Sequence, residues 1–169
     1  MRLLGWIKHA YQRIKKGYSY RDLWSIDYWF LTVVPNMLED FSNIKYLGIP
    51  GYLVVKAEEE HPEMSPDERD EWAINQWRYT CRQIAHHLRE GREPKEQVNE
   101  YSNEYWGWDD PNKNFGLQTD GKEWTFTTNP DKELEEKYDK RELEIEKYRK
   151  EELKKGMEMF TENLETLWW

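Results

Sequence analysis

A single cysteine, Cys81, stands among 169 residues. No internal disulfide can form, which points to a reducing compartment. No apolar run approaches the roughly 18 residues that span a bilayer, and the most apolar stretch, 26–38, is interrupted by Asp27, Pro35 and Asn36. The opening Met-Arg-Leu-Leu-Gly-Trp-Ile-Lys interleaves charged and apolar residues, so no signal peptide is expected. Gly-x-Ser-x-Gly, a complete Walker loop and Gly-x-Gly-x-x-Gly are all missing. With them go the most recognisable routes to nucleophilic and phosphate chemistry. Acid is missing locally as well: nothing before Asp22 is acidic.

What is present is charge and aromatic side chains. The chain holds 25 Lys plus Arg against 34 Asp plus Glu, a net charge of −9, with 35% charged and only 37% hydrophobic residues. Such a balance borders on disorder, but ten Trp, eleven Tyr and five Phe argue for a folded chain, because each buried ring removes about 150–250 Å² from water. The length suits one domain. The acidic total argues against general nucleic-acid binding. The charge is uneven, however. Arg2, Lys8, Arg13, Lys15, Lys16 and Arg21 give residues 1–21 a charge of +6, leaving −15 for the remainder. The basic segment either neutralises the acidic body or faces an anionic partner.

Periodicity predicts a mainly α protein, a bundle of about four helices carrying a small β-hairpin and a long charged C-terminal helix. Leu3, Leu4, Trp6, Ile7, Ala10, Tyr11 and Ile14 recur at helical spacing over 2–16, closed by Lys15, Lys16 and Gly17. Ser19 to Asp22 resembles a capping box and opens a second helix to about Phe41, kinked at Pro35 and apolar nearly all round. Such a helix is expected at the buried centre. Residues 42–64 read as a crossing, with 46–55 a short strand or an ordered loop. Ser65-Pro-Asp-Glu68 is a full capping signature for a helix ending at Gly91, with Ile74, Trp77, Cys81, Ile84 and Leu88 facing inward. Residues 115–127 read as a hairpin about an Asp120-Gly121 turn. Residues 131–152, laced with i,i+4 Glu–Lys pairs, read as a projecting helix that becomes amphipathic from Leu153. One domain, 1–169, then comprises a helical core (2–90 and 153–169), an aromatic insert (91–130) and the charged helix (131–152).

The stretch 17–29, Gly-Tyr-Ser-Tyr-Arg-Asp-Leu-Trp-Ser-Ile-Asp-Tyr-Trp, resembles a family of small proteins of tailed bacteriophages with the pattern G-[YW]-S-x-x-D-x-W-x-x-D. A Pro-acidic-acidic helix start with an early Trp, here 66–72, and a C-terminal aromatic helix ending in Leu-Trp, here 156–169, extend the resemblance. The resemblance does not reach 91–130 or 131–152, and the ending Glu-Thr-Leu-Trp-Trp departs from the family's Asp-terminated form. It implies a phage origin, the cytoplasm of an infected host as location, and an all-helical core. It implies no reaction.

Several residue groups are candidates for function. Asp22 reads as a helix cap. Asp27 shares a face with Leu23, Phe30 and Val34, so it reads as a buried carboxylate satisfied by Arg13, Arg82 or a Trp indole N–H, with a ligand contact or base and a partly exposed residue as the alternatives. Arg13, Lys16 and Arg21 beside Trp24 suit an anionic ligand with a stacking ring. Trp106, Trp108 and Trp124 form either a ligand cage or a small core for the insert. Trp168 either docks inward or anchors a partner. His86 and His87 are adjacent and diverge by about 100°, Asp109-Asp110 with Asn112 and Asn114 lacks a full calcium loop, and Cys81 reads as a core thiol. No metal, no cofactor and no catalytic residue is therefore expected. The leading expectation is a non-enzymatic phage accessory protein that binds a host protein or sequesters a nucleotide signal to counter host defence. The alternatives are a virion assembly protein, self-associating, and a hydrolase built on Asp22 and Asp27.

Overall fold

The computed structural model describes residues 2–110, 115–119, 121 and 123–168. Six helices run α1 (Arg2–Lys16), α2 (Ile26–Ser42), α3 (Gly51–Glu60), α4 (Pro66–Arg92), α5 (Ser102–Trp106) and α6 (Lys132–Asn163). Strands β1 (Gly116–Thr119) and β2 (Trp124–Thr127) form an antiparallel hairpin in which Leu117 faces Phe126. The protein is mainly α, as its periodicity predicts. The Asp120 side of the hairpin turn, Asn112, Asn114 and Trp169 lie outside the described residues.

The central helix is α4. Its start follows the predicted chemistry: Ser65 Oγ accepts from the Glu68 amide at 3.4 Å while Glu68 accepts from the Ser65 amide at 2.8 Å. Trp77, Cys81, Ile84 and Leu88 are fully buried along one stripe. Around Trp77 and Cys81 gather Leu47, Leu53, Ala57 and Phe41, the last edge-on to the Trp77 ring at 6.4 Å. Around Ile84 and Leu88 gather Leu38, Phe30, Leu153 and Phe160. Leu167 packs against both groups.

α2 lies antiparallel on α4, held at its polar margin by a ladder of arginines. Arg82 donates to Ser42 Oγ and Asn43 Oδ1, Arg89 to Asn36 and Glu39, and Arg92 to Thr32. α6 lies antiparallel along the other side of α4. Gly91 and Gly156 permit that contact: a Cβ on Gly91 would lie 2.8 Å from the Leu153 Cα, and one on Gly156 3.0 Å from the Leu88 amide nitrogen.

Five expectations are corrected. The second helix does not begin at Ser19. Asp22 instead accepts the Ser19 amide at 2.7 Å and closes a 3-10 turn over Asp22–Trp24, and Ser25, with φ −148° and ψ 85°, restarts the chain. α2 is not the buried centre, because its far face leaves Ile26, Tyr28 and Met37 exposed. Of residues 46–55, read as a short strand or an ordered loop, 46–50 are turn and loop but 51–55 belong to a helix, since Pro50 sets the entry and Leu53 and Ala57, four apart, bury together. Gly91 does not stop α4 but sits inside it, at the crossing with α6. The charged helix does not project. Its first half is clasped by the segment after α4, where Arg141 donates to the Val98 carbonyl and Gln97, and Asn99 donates to the Tyr138 carbonyl. No described helix is long and apolar enough to cross a membrane.

Candidate functional site

The segment between α1 and α2 is built around one carboxylate. Asp22 receives Arg13 in a two-pronged pair, Nη2 to Oδ1 at 2.6 Å and Nε to Oδ2 at 3.1 Å, together with the Ser19 amide. Its side chain is 9% exposed. The Arg13 guanidinium and the Ser19 N–H hold the Asp22 carboxyl far below the usual carboxylate range. The Tyr20 amide donates to Gln12 at 3.0 Å, and Lys16 donates to the Tyr20 hydroxyl at 3.0 Å. These bonds fold the basic end of α1 back over the start of α2.

A groove of about 720 Å³ results, lined by Arg13, Tyr20, Arg21, Asp22, Trp24, Ser25, Tyr28, Trp29, Thr32 and Val33. Its size falls within the roughly 300–1,000 Å³ of small-molecule sites. Trp24 is 94% exposed. Arg92 reaches the same end of α2, with its guanidinium 5.0 Å from the Tyr28 ring centre. The arrangement offers aromatic faces for stacking and guanidinium groups for an anion. The sequence sets Arg13, Lys16 and Arg21 beside Trp24; the fold brings Arg13, Arg21 and Trp24 to the groove together with Asp22, while Lys16 is not among its lining residues and is held on the Tyr20 hydroxyl. Sequence reasoning misses Tyr28 and Trp29, whose apolar surroundings in sequence suggest a buried helix, and Arg92, which is far off in sequence.

Asp27 is not buried. It is exposed at the first turn of α2, where the Ser25 hydroxyl donates to it at 2.6 Å. That bond and the Tyr28 amide lower its pKa. Asp27 keeps the helical register of Phe30 and Val34, but it lies in the first turn of α2, short of the part of that face that is packed.

The other candidates lie elsewhere. Trp106 is half-buried, donating to the Tyr138 hydroxyl at 3.3 Å, while Tyr105 stacks on Tyr138 at 4.1 Å. Trp108, Trp124 and Trp168 are exposed; of the final turn, Leu167 rather than Trp168 docks. Cys81 is buried, and its thiol is pushed up to about 12 by desolvation, so it is a poor nucleophile.

Sequence reasoning also missed a partner for the adjacent histidines. One ligand-type atom from each of His86, His87 and Glu152 lies within 4.8 Å of the other two. Burial opposes the charge on Glu152, but hydrogen bonds from Lys155 and His87 outweigh it and keep its carboxyl below the usual range. The Lys155 ammonium, 2.7 Å from Glu152, occupies that carboxylate and would repel a cation. No local signal could have linked positions 65 residues apart.

No protein-family model, curated protein or solved structure significantly matches this chain.

Proposed function

We propose that the protein acts by binding, and that the groove between α1 and α2 takes a small anionic ligand with an aromatic ring, a nucleotide being the leading class. The observation that carries this reading is the meeting of Trp24, Tyr28 and Trp29 with Arg13 and Arg21 in one groove of a chain whose net charge is −9. Base stacking on such rings is worth roughly 1–3 kcal/mol per base, and an arginine beside them gives a phosphate two donors. The resemblance of 17–29 to phage proteins supports a phage origin and no particular activity; the role we propose there is counter-defence in the cytoplasm of an infected host, by sequestering a nucleotide signal.

The hydrolase alternative draws little support from the carboxylates it requires. Asp22 is clamped by Arg13, and Asp27 is tied to Ser25. Both are held as poor proton acceptors near neutrality. A virion assembly role through a coiled coil is disfavoured too, since the charged half of α6 already packs on residues 97–106.

Titration calorimetry with mononucleotides and cyclic dinucleotides tests the reading. Binding should fall at least about tenfold in Trp24→Ala and Arg21→Ala, both exposed positions, with melting temperatures unchanged. Failure of every nucleotide to bind, together with none released on denaturing the purified protein, would overturn it. A host protein is the second reading. It is favoured by the exposed Trp108, Trp124 and Phe126 of the insert, large rings of the kind that anchor interfaces. Its test is loss of a co-purifying protein in Trp124→Ala.

A further inference from the structure

α1 is mounted the unusual way round. At about 100° per residue, Trp6, Ile7, Tyr11 and Ile14 share an arc of about 140° on one side of the helix. A helix of a globular domain turns that side inward. Here those four side chains are 71%, 50%, 60% and 85% exposed. The opposite, polar side faces the turn that follows the helix: Gln12 is buried under the Tyr20 amide, Gly5 and His9 are half-buried, and among the described residues α1 packs broadly on none of the other helices. Lys8 and Lys15 flank the apolar arc on one margin and Arg13 on the other, with no acid before Asp22.

We propose that this face of α1 docks on an anionic lipid surface, with Trp6, Ile7, Tyr11 and Ile14 entering the headgroup boundary and Lys8 and Lys15 meeting lipid phosphates. Charge complementarity selects that occupant. A segment of charge +6 is drawn to an anionic membrane, while the −15 of the remaining chain is repelled and keeps the body pointing away. A nucleic acid would require the cations to face outward along the centre of the exposed arc, and that centre is apolar. No spanning helix is involved, and the proposal does not depend on the groove ligand.

Vesicle flotation tests it, using phosphatidylcholine vesicles with and without about 30% phosphatidylglycerol. The wild-type chain should float with the anionic vesicles and remain behind with the neutral ones, and the association should weaken as salt rises. Ile14→Asp, at a position with nothing to unpack, should cut the association at least about tenfold with the melting temperature preserved. Lys8→Glu combined with Lys15→Glu should do the same. No flotation with anionic vesicles would overturn the proposal. So would flotation unchanged by Ile14→Asp, or a dimer in native mass spectra that Ile14→Asp dissociates, since the face would then be covered by a second copy.

Discussion

α1 and α4 send the same signal in sequence and do opposite things in the fold. Each carries an apolar stripe at spacings of three and four. In α4 the stripe Trp77, Cys81, Ile84, Leu88 is fully buried, and in α1 the stripe Trp6, Ile7, Tyr11, Ile14 is at least half exposed. The difference lies in the flanks. The polar margin of α4 carries arginines that reach side chains and a carbonyl on and just past α2, so its stripe is brought down onto neighbours. The polar margin of α1 makes its own contacts, through Gln12 and Arg13 to residues 20 and 22, and so turns the stripe away. An apolar period shows that a helix has a face to cover. The polar side decides what can cover it.

The widest separation between the two helices should appear on truncating α4. Ile84 has no exposed surface, so Ile84→Ala removes its transfer energy and leaves a cavity, at a cost of about 2–5 kcal/mol. Thermal or urea melts would measure it. A loss under about 1 kcal/mol would mean that α4 is not the centre of the core. Next in size is Gly91→Ala. The added Cβ would meet Leu153 backbone atoms at 2.8–2.9 Å, so α6 must move, at about 1–3 kcal/mol. The counterpart in α1 is Gly5, where nothing lies within 4 Å; there alanine should stabilise by about 0.5–1 kcal/mol.

A smaller effect separates the helices by pH. Asp22 fastens the end of α1, and Arg13 is half exposed, so Asp22→Asn should cost about 1 kcal/mol near neutrality. The folded carboxyl titrates below its unfolded value. Its contribution is therefore complete above the unfolded value of about 4 and is lost as pH falls from there toward the lower folded value. Wild type and Asp22→Asn should differ at neutral pH and converge in strong acid. A gap that persists unchanged to the lowest pH would mean the Asp22 charge is not what holds α1.

Much of the fold was legible because local chemistry dictated it. The bounds of α1, the Ser65 cap, the α4 stripe and the hairpin all rest on residues within a few positions of one another. What could not be read depended on distant partners. The close approach that Gly91 and Gly156 permit is invisible until α4 and α6 are paired, and in isolation Gly91 resembles a stop signal. The charged half of α6 looked free because its partners, Gln97, Asn99 and Tyr105, lie in a stretch that reads as loop. Within the groove, Arg13, Arg21 and Trp24 were legible because they neighbour one another through a short turn; Lys16, read with them, points to Tyr20 instead, and Asp22, read as a cap, is the residue that clamps Arg13. Sequence reasoning misplaced Asp27, which keeps the register of Phe30 and Val34 but sits in the first turn of α2, where the packed part of that face has not yet begun.

The smallest expected effect bears most directly on the comparison. Ile14 and Ile84 are the same residue type on the same kind of stripe, at 85% and 0% exposure. Burial of an isoleucine contributes roughly 1.5–3 kcal/mol through the water it sheds, and Ile14 sheds almost none. Ile14→Ala should therefore change stability by under about 0.5 kcal/mol in dilute buffer, slightly in favour of the variant where helix propensity dominates. The measurement is a paired urea titration at several protein concentrations. A cost above 1 kcal/mol that grows with concentration would mean that a second copy covers the face. A concentration-independent cost of that size would mean the stripe packs on its own body. An effect near zero leaves α1 as a helix whose apolar side is kept for something outside the chain.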